Sequence, residues 1–171
     1  MQKIFITKNF KETQKLGELL SKEIEGGHII ALEGELGCGK TTFAQGFLKG
    51  LGAKESYTSP TFLVIKNYKK EIPNSRAYRQ AGKSQYPKKL KTKNKKIQNI
   101  YHIDTYRVSS KDLLNLGWEE IISNPENIVI IEWADRIRKI IPKESLWIKF
   151  EWVSEKERKI TFVKYERKIK K

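Results

Sequence analysis

Residues 34–41, Gly34-Glu35-Leu36-Gly37-Cys38-Gly39-Lys40-Thr41, carry the spacing G-x-x-x-x-G-K-T. That spacing is a device for holding phosphate. Its glycines let the backbone turn tightly, so that successive N–H groups point into one concavity. The apolar run before it, His28 to Leu32, reads as a buried strand. Thr42-Phe43-Ala44-Gln45-Gly46-Phe47-Leu48 after it has helical apolar spacing. Strand, glycine-rich turn and helix in that order bring the positive end of a helix dipole to the same spot. In this reading Lys40 reaches the β- and γ-phosphates of a nucleotide, the Thr41 hydroxyl ligates Mg²⁺, and Thr42 donates to the α-phosphate. Cys38 stands where any small residue would fit.

Turning over a bound nucleotide also needs an acidic group that holds the metal's outer shell or orients water. Two carboxylates stand at the ends of strand-like runs. Glu132 follows Ile128-Val129-Ile130-Ile131, and Asp104 follows Ile100-Tyr101-His102-Ile103. The stronger buried-strand signal assigns Glu132 to the Mg²⁺ site beside Thr41 and leaves Asp104 as the switch or water-orienting residue. Lys40, Asp104 and Glu132 are then the catalytic set. The alternative for either carboxylate is to cap a neighbouring turn. Thr61, in Ser59-Pro60-Thr61, either senses the γ-phosphate or Mg²⁺ or simply opens a strand. Trp133 is either a flat apolar wall of the site or a core tryptophan, and His102 reads as a core or edge residue. The D-x-x-G and N-K-x-D patterns of guanine nucleotide switches are absent, which favours adenine.

These residues need a frame, and the chain supplies one. Lys3 to Thr7 is a short strand. Asn9 caps a helix to about Glu25, with Leu16, Leu19, Leu20 and Ile24 on one face and Gly26-Gly27 as its stop. Gly50 and Gly52 close the phosphate-loop unit, Ser56 to Pro60 is a turn, and Thr61 to Tyr68 is a strand. A further strand spans Asn99 to Arg107. Ser109 or Ser110 caps a helix through Leu113, Leu114 and Leu116, and a second short helix runs from Trp118 to Ile122. Ile128 to Trp133 reads as a central parallel strand, and Ala134 to Ile141 as a short helix stopped by Pro142. Ser145 to Val153 and Lys159 to Tyr165 alternate as a hairpin. The pattern predicts an α/β fold: a P-loop NTPase-like three-layer sandwich, its central sheet mainly parallel, with antiparallel additions and a C-terminal hairpin. The nucleotide belongs at the carboxyl ends of the strands.

Length and charge set the outer bounds. The 171 residues suit a single domain, residues 1–171. No stretch reaches the roughly 20 apolar residues of a membrane span, and the start lacks a secretory signal, so a cytoplasmic protein without membrane contact is expected. One cysteine and two histidines leave no disulfide and no cysteine-cluster metal centre. The net charge of +15 is concentrated. Residues 69–98 hold eleven Lys/Arg against one Glu, and residues 156–171 hold eight against two. The first of these, with few aliphatic side chains, reads as a flexible basic insertion that supplies no core residue, and residues 164–171 as a basic tail. Lysines interleaved with Tyr78 and Tyr86 suit an RNA-contacting arm. A plain solvated loop is the alternative.

Five segments fall in the order and spacing of one family: GELGCGKTTFAQGFLKGLG, SPTF, YHIDTYR, LGWEE and IEWADR with the following Pro142. The chain resembles the bacterial TsaE (YjeE) family, the small ATPase of tRNA threonylcarbamoyladenosine synthesis. The match extends over nearly everything except residues 69–98 and the last few positions. The resemblance implies an ATP- and Mg²⁺-dependent ATPase that works with the TsaD and TsaB proteins. Those proteins modify adenosine 37 of tRNAs reading ANN codons, and hydrolysis is thought to reset their complex between cycles. Carried over by position, Gly34 to Thr42 bind the phosphates, Thr41 and Glu132 ligate Mg²⁺, and Asp104 serves hydrolysis. Thr61 falls in the switch-like segment, Trp133 lies close to the nucleotide, and Thr7 to Asn9 approach the base. Cys38 stands where the family usually has Ala, and the basic insertion replaces a short turn. A small-molecule kinase and a nucleotide-gated RNA-binding protein are the alternatives from other classes.

Overall fold

The computed structural model describes residues 2–24, 27–53, 57, 60, 63–69, 97 and 99–163. Among them, seven strands form one sheet: β1 (Gln2–Thr7), β2 (His28–Glu33), β3 (Ile65–Lys69), β4 (Asn99–Asp104), β5 (Asn127–Glu132), β6 (Leu146–Trp152) and β7 (Arg158–Val163). Their order across the sheet is β1-β7-β6-β2-β5-β4-β3. The central strands β6, β2, β5 and β4 run parallel to one another. β3 is antiparallel to β4, β7 to β6, and β1 to β7. The expected mixed α/β sheet with its C-terminal hairpin is therefore present.

Helices α1 (Phe10–Glu23) and α2 (Lys40–Leu51) cover one face. Their core joins Phe43, Phe47 and Leu48 to Ile30, Leu32, Ile128, Ile130 and Phe150 of the sheet. The other face carries α3 (Ser110–Asn115), α4 (Trp118–Ser123) and a 3-10 helix (Ala134–Ile140). There Leu113, Trp118 and Ile137 pack on Ile103, Val129 and Ile131. β5 lies between β2 and β4 and is covered from both sides, so all six of its residues are buried. That is why it reads as an unbroken apolar run.

The helices depart from the sequence reading in their packing. Asn9 does cap α1, its side chain accepting from the Glu12 N–H at 3.0 Å. Ile24 is buried and Leu16 and Leu20 pack against the core as expected, but Leu19 is exposed and the fully buried positions of the helix are Thr13, Gly17 and Ser21. The cause is close approach to α2: a Cβ on Gly46 would sit 1.9 Å from the Gln14 carbonyl oxygen. Helices this near meet through small residues, and the leucines flank the seam. Gly50 is likewise inside α2, and the left-handed residue that ends the helix is Gly52. Ser109 is the cap of α3, in a reciprocal box with Asp112, while Leu114 and Leu116 are exposed.

Other boundaries shift as well. Leu63 and Val64 form a turn on the Pro60 carbonyl, so β3 starts at Ile65 rather than Thr61. β4 ends at Asp104 rather than Arg107, and β5 at Glu132 rather than Trp133. Ile97 is buried in the core beside Tyr68, which corrects the reading that residues 69–98 contribute nothing to it. The rest of that insertion from residue 70 on, the tail 164–171, and Gly26, Ser59 and Thr61 lie outside the described residues. Among the described residues no helix is long and apolar enough to cross a membrane.

Candidate functional site

β2 delivers the chain to the glycine-rich loop, and α2 takes it away. The register places Leu32 beside Glu132, and Glu132 beside Asp104. The loop therefore opens beside both strand-end carboxylates, at the carboxyl edge of the parallel strands. A cleft of about 130 Å³ lies there, lined by Leu36, Gly37, Gly39, Lys40, Thr41, Thr42, Glu132 and Trp133. A wider groove of about 570 Å³ between α1 and α2 shares none of these residues. Its lining is lysines, glutamines, Glu18, Gly46 and Tyr57, without the loop's convergent backbone donors.

Backbone geometry makes the loop. Gly34 leaves β2 with φ 144°, and a Cβ there would stand 2.5 Å from the Phe150 carbonyl oxygen and 2.8 Å from Cys38 Sγ. Gly39, left-handed, precedes α2, and no side-chain hydrogen bond caps that helix. Unlike α1 and α3, which the Asn9 and Ser109 side chains cap, α2 starts with its first-turn N–H groups without a side-chain acceptor, as do α4 and the 3-10 helix, and of these α2 is the one that follows the glycine-rich loop. An anion is the natural partner for such groups. Cys38 turns its side chain inward to the apolar core and is fully buried. Burial pushes its thiol above the ordinary range, against the opposing pull of Lys40. It bounds the loop from behind rather than facing the cleft.

Lys40 donates from Nζ to the carbonyl oxygens of Gly34 and Glu35, at 2.7 and 2.8 Å. Its ammonium also lies 3.7 Å from the centre of the Trp133 ring, a cation–π contact. Thr41 donates its hydroxyl to Glu132 Oε2 at 2.5 Å. The other oxygen of Glu132 meets His102 Nε2 at 2.8 Å. Both carboxylate oxygens of a side chain that is almost wholly buried are thereby satisfied, as burial of a charge demands. Asp104 is buried alongside, and its Oδ1 accepts the Tyr106 N–H at 2.9 Å. It caps the turn that follows β4 while standing next to Glu132 in register.

The sequence placed Lys40, Thr41, Thr42, Glu132 and Trp133 together, and the fold gathers all of them on one cleft. Gly34 and Glu35 join through their carbonyls. Three participants were not singled out as site residues. His102 holds Glu132. Thr105 donates its hydroxyl to the carbonyls of Glu132 and Trp133, at 3.0 and 2.8 Å. That pins the corner where Trp133 adopts a left-handed φ of 60°, a conformation non-glycine residues hold only when their surroundings impose it. Arg158 stacks on Trp152, 3.6 Å from its ring centre, and donates to the Gly37 carbonyl at 3.4 Å. The signal for His102 was available: it alternates with Asp104 and so shares its face of β4.

Comparison with known proteins gives a consistent answer. The family model for threonylcarbamoyl adenosine biosynthesis protein TsaE matches residues 7–94 and 84–160. The tRNA threonylcarbamoyladenosine biosynthesis protein TsaE of Bacillus subtilis is 32% identical over 156 residues, spanning 91% of this chain and 82% of that protein. The protein of the same description from a Nostoc species is 36% identical over 142 residues, spanning 80% and 70%. The crystal structure of Bacillus subtilis YdiB superposes with a TM-score of 0.71 at 28% identity, covering 97% of this chain and 87% of that one.

Proposed function

The chain belongs to the TsaE family, and we propose that it is the ATP-binding and ATP-hydrolysing subunit of the bacterial machinery that makes N6-threonylcarbamoyladenosine at position 37 of tRNAs reading ANN codons, acting on the TsaD–TsaB complex. The observation that carries this reading is the Thr41–Glu132 hydrogen bond at the uncapped start of α2. It joins a helix N-terminus suited to phosphate with a hydroxyl and a carboxylate suited to a hard cation.

Among the described residues no three His, Cys, Asp or Glu side chains gather as a metal cage. Mg²⁺ is commonly held by one or two protein oxygens together with substrate phosphates, and Thr41 Oγ1 with Glu132 supplies such a pair. An ion held by that pair would neutralise charge on the phosphoryl group being transferred. The chain's own residues do the rest. The N–H groups of residues 37–42 receive phosphate oxygens. Lys40 exchanges two neutral carbonyl acceptors for charged ones, a stronger hydrogen bond. Asp104, beside Glu132, orients the attacking water. Trp133 forms one wall of the cleft. The work is done in the cytoplasm.

The test is equilibrium binding and turnover in a set of variants. Lys40→Ala is expected to lose nearly all nucleotide binding. Thr41→Ala and Glu132→Ala should lose Mg²⁺-dependent hydrolysis more than binding. Asp104→Ala should bind ATP and hydrolyse it slowly. Hydrolysis by Asp104→Ala at the parent rate would remove that residue from the mechanism. Release of ADP without a small-molecule acceptor separates an ATPase from a kinase.

A further inference from the structure

His102 is a fully buried imidazole with one nitrogen committed and the other, Nδ1, without a hydrogen-bond partner among the described residues. Packing alone does not account for it, because an apolar side chain would fill the place without burying an unpaired polar atom. Its committed nitrogen faces Glu132 Oε1 at 2.8 Å. A carboxylate only accepts, so Nε2 carries the hydrogen and donates.

The register explains how the two meet. His102 pairs with Ile130, and Asp104 with Glu132. His102 and Glu132 therefore share one face of the sheet as a diagonal pair, a separation long side chains bridge. That face lies under α2, whose second residue is Thr41.

We infer that His102 is a positioning residue: by holding Oε1 of Glu132 it keeps Oε2 on the Thr41 hydroxyl, and so sets how well the site takes Mg²⁺ with its nucleotide. The inference rests on the reading of this cleft as an ATP–Mg²⁺ site. A glutamate has one more rotatable bond than an aspartate, and leaving it free to rotate disperses its carboxylate over several positions. Thr41 alone fixes one oxygen. His102 fixes the other and leaves a single orientation. Partners of this kind behind metal ligands commonly set affinity within about 10–100-fold.

The experiment titrates Mg²⁺ against binding of a fluorescent ATP analogue to the full chain, with thermal unfolding as the check on folding. His102→Leu is expected to need about tenfold more Mg²⁺ for its half-maximal effect. His102→Gln, whose amide N–H reaches about as far as Nε2, should return close to the parent. In a Glu132→Ala background, His102→Leu should change nothing further, since its effect runs through the missing carboxylate. If His102→Leu does not fold, His102→Asn replaces it, its amide one methylene short of Glu132, and should show the same weakened Mg²⁺ response. A parent-like Mg²⁺ midpoint in His102→Leu or His102→Asn overturns the inference. So does an equal loss in His102→Gln, or an undiminished effect without Glu132. A parent chain that binds no nucleotide, or binds it without regard to Mg²⁺, instead removes the reading of the cleft and the inference with it.

Discussion

Lys40 rests on two carbonyls of its own loop and on the face of Trp133, so anything that draws the ammonium away changes the surroundings of that indole. Tryptophan emission should therefore shift when an ATP analogue binds, and Trp133→Phe should erase the shift. Trp118 and Trp147 form the background, and Trp152, which stacks on Arg158 beside Gly37, is replaced by Phe in both proteins compared. A shift that survives in Trp133→Phe would assign the signal elsewhere and leave Trp133 as packing. At this scale the loop was legible because its chemistry is local: glycines, Lys40 and Thr41 are consecutive in the chain. Glu132 was legible because a charge at the end of four aliphatic residues is costly unless it has work to do. His102 and Thr105 were less so, since their partners come from across the sheet and depend on strand register. Cys38 was placed in the loop by sequence, but only the fold shows its thiol turned to the core.

Elements position these groups, and the tightest joint among them is α1 against α2. Gly46 sits where any side chain would meet the Gln14 backbone. Gly46→Ala has to push the two helices apart or strain them, and overpacking of this kind costs about 1–3 kcal/mol. A drop of that size in denaturant stability is expected, with weaker nucleotide binding because α2 carries the phosphate loop at its start. Unchanged stability would mean the seam is loose. Helical periodicity in the sequence pointed to Leu16, Leu19, Leu20 and Ile24, and all but Leu19 do pack on the core. It did not show the small-residue seam, because apolar spacing does not register how near another backbone will come. Strands β2 and β5 were read well, because burial leaves an unmistakable apolar run, whereas β4, which mixes polar and apolar residues, was found but carried past its end at Asp104. The start of β3 was not, since the turn at Leu63 and Val64 is made by backbone hydrogen bonds to Pro60.

Along the sequence, most of the excess charge and most of the cleft residues fall in different segments. The excess of positive charge lies mainly in residues 69–98 and 156–171, of which Arg158 reaches the loop at Gly37. We propose the first of these as an arm for tRNA. If about five of its charges meet phosphates, affinity should fall with salt at a log–log slope of roughly −3.5 to −4.5. Excising residues 70–96 while keeping the buried Ile97 should preserve the fold and the ATPase, and it should flatten that slope. Equal tRNA binding by the shortened protein at every salt concentration would make the insertion an ornament. The α/β architecture was legible from the alternation of strands and helices. The arm was legible only as composition, which states charge but not what it touches. The central claim is that hydrolysis at Lys40, Thr41 and Glu132 drives repeated cycles of tRNA modification, and counting threonylcarbamoyladenosine formed per TsaD–TsaB complex tests it most directly. With the parent chain and ATP the count should rise well above one per complex, and with Glu132→Ala it should stop near one. A Glu132→Ala protein that sustains as many cycles as the parent would contradict the account.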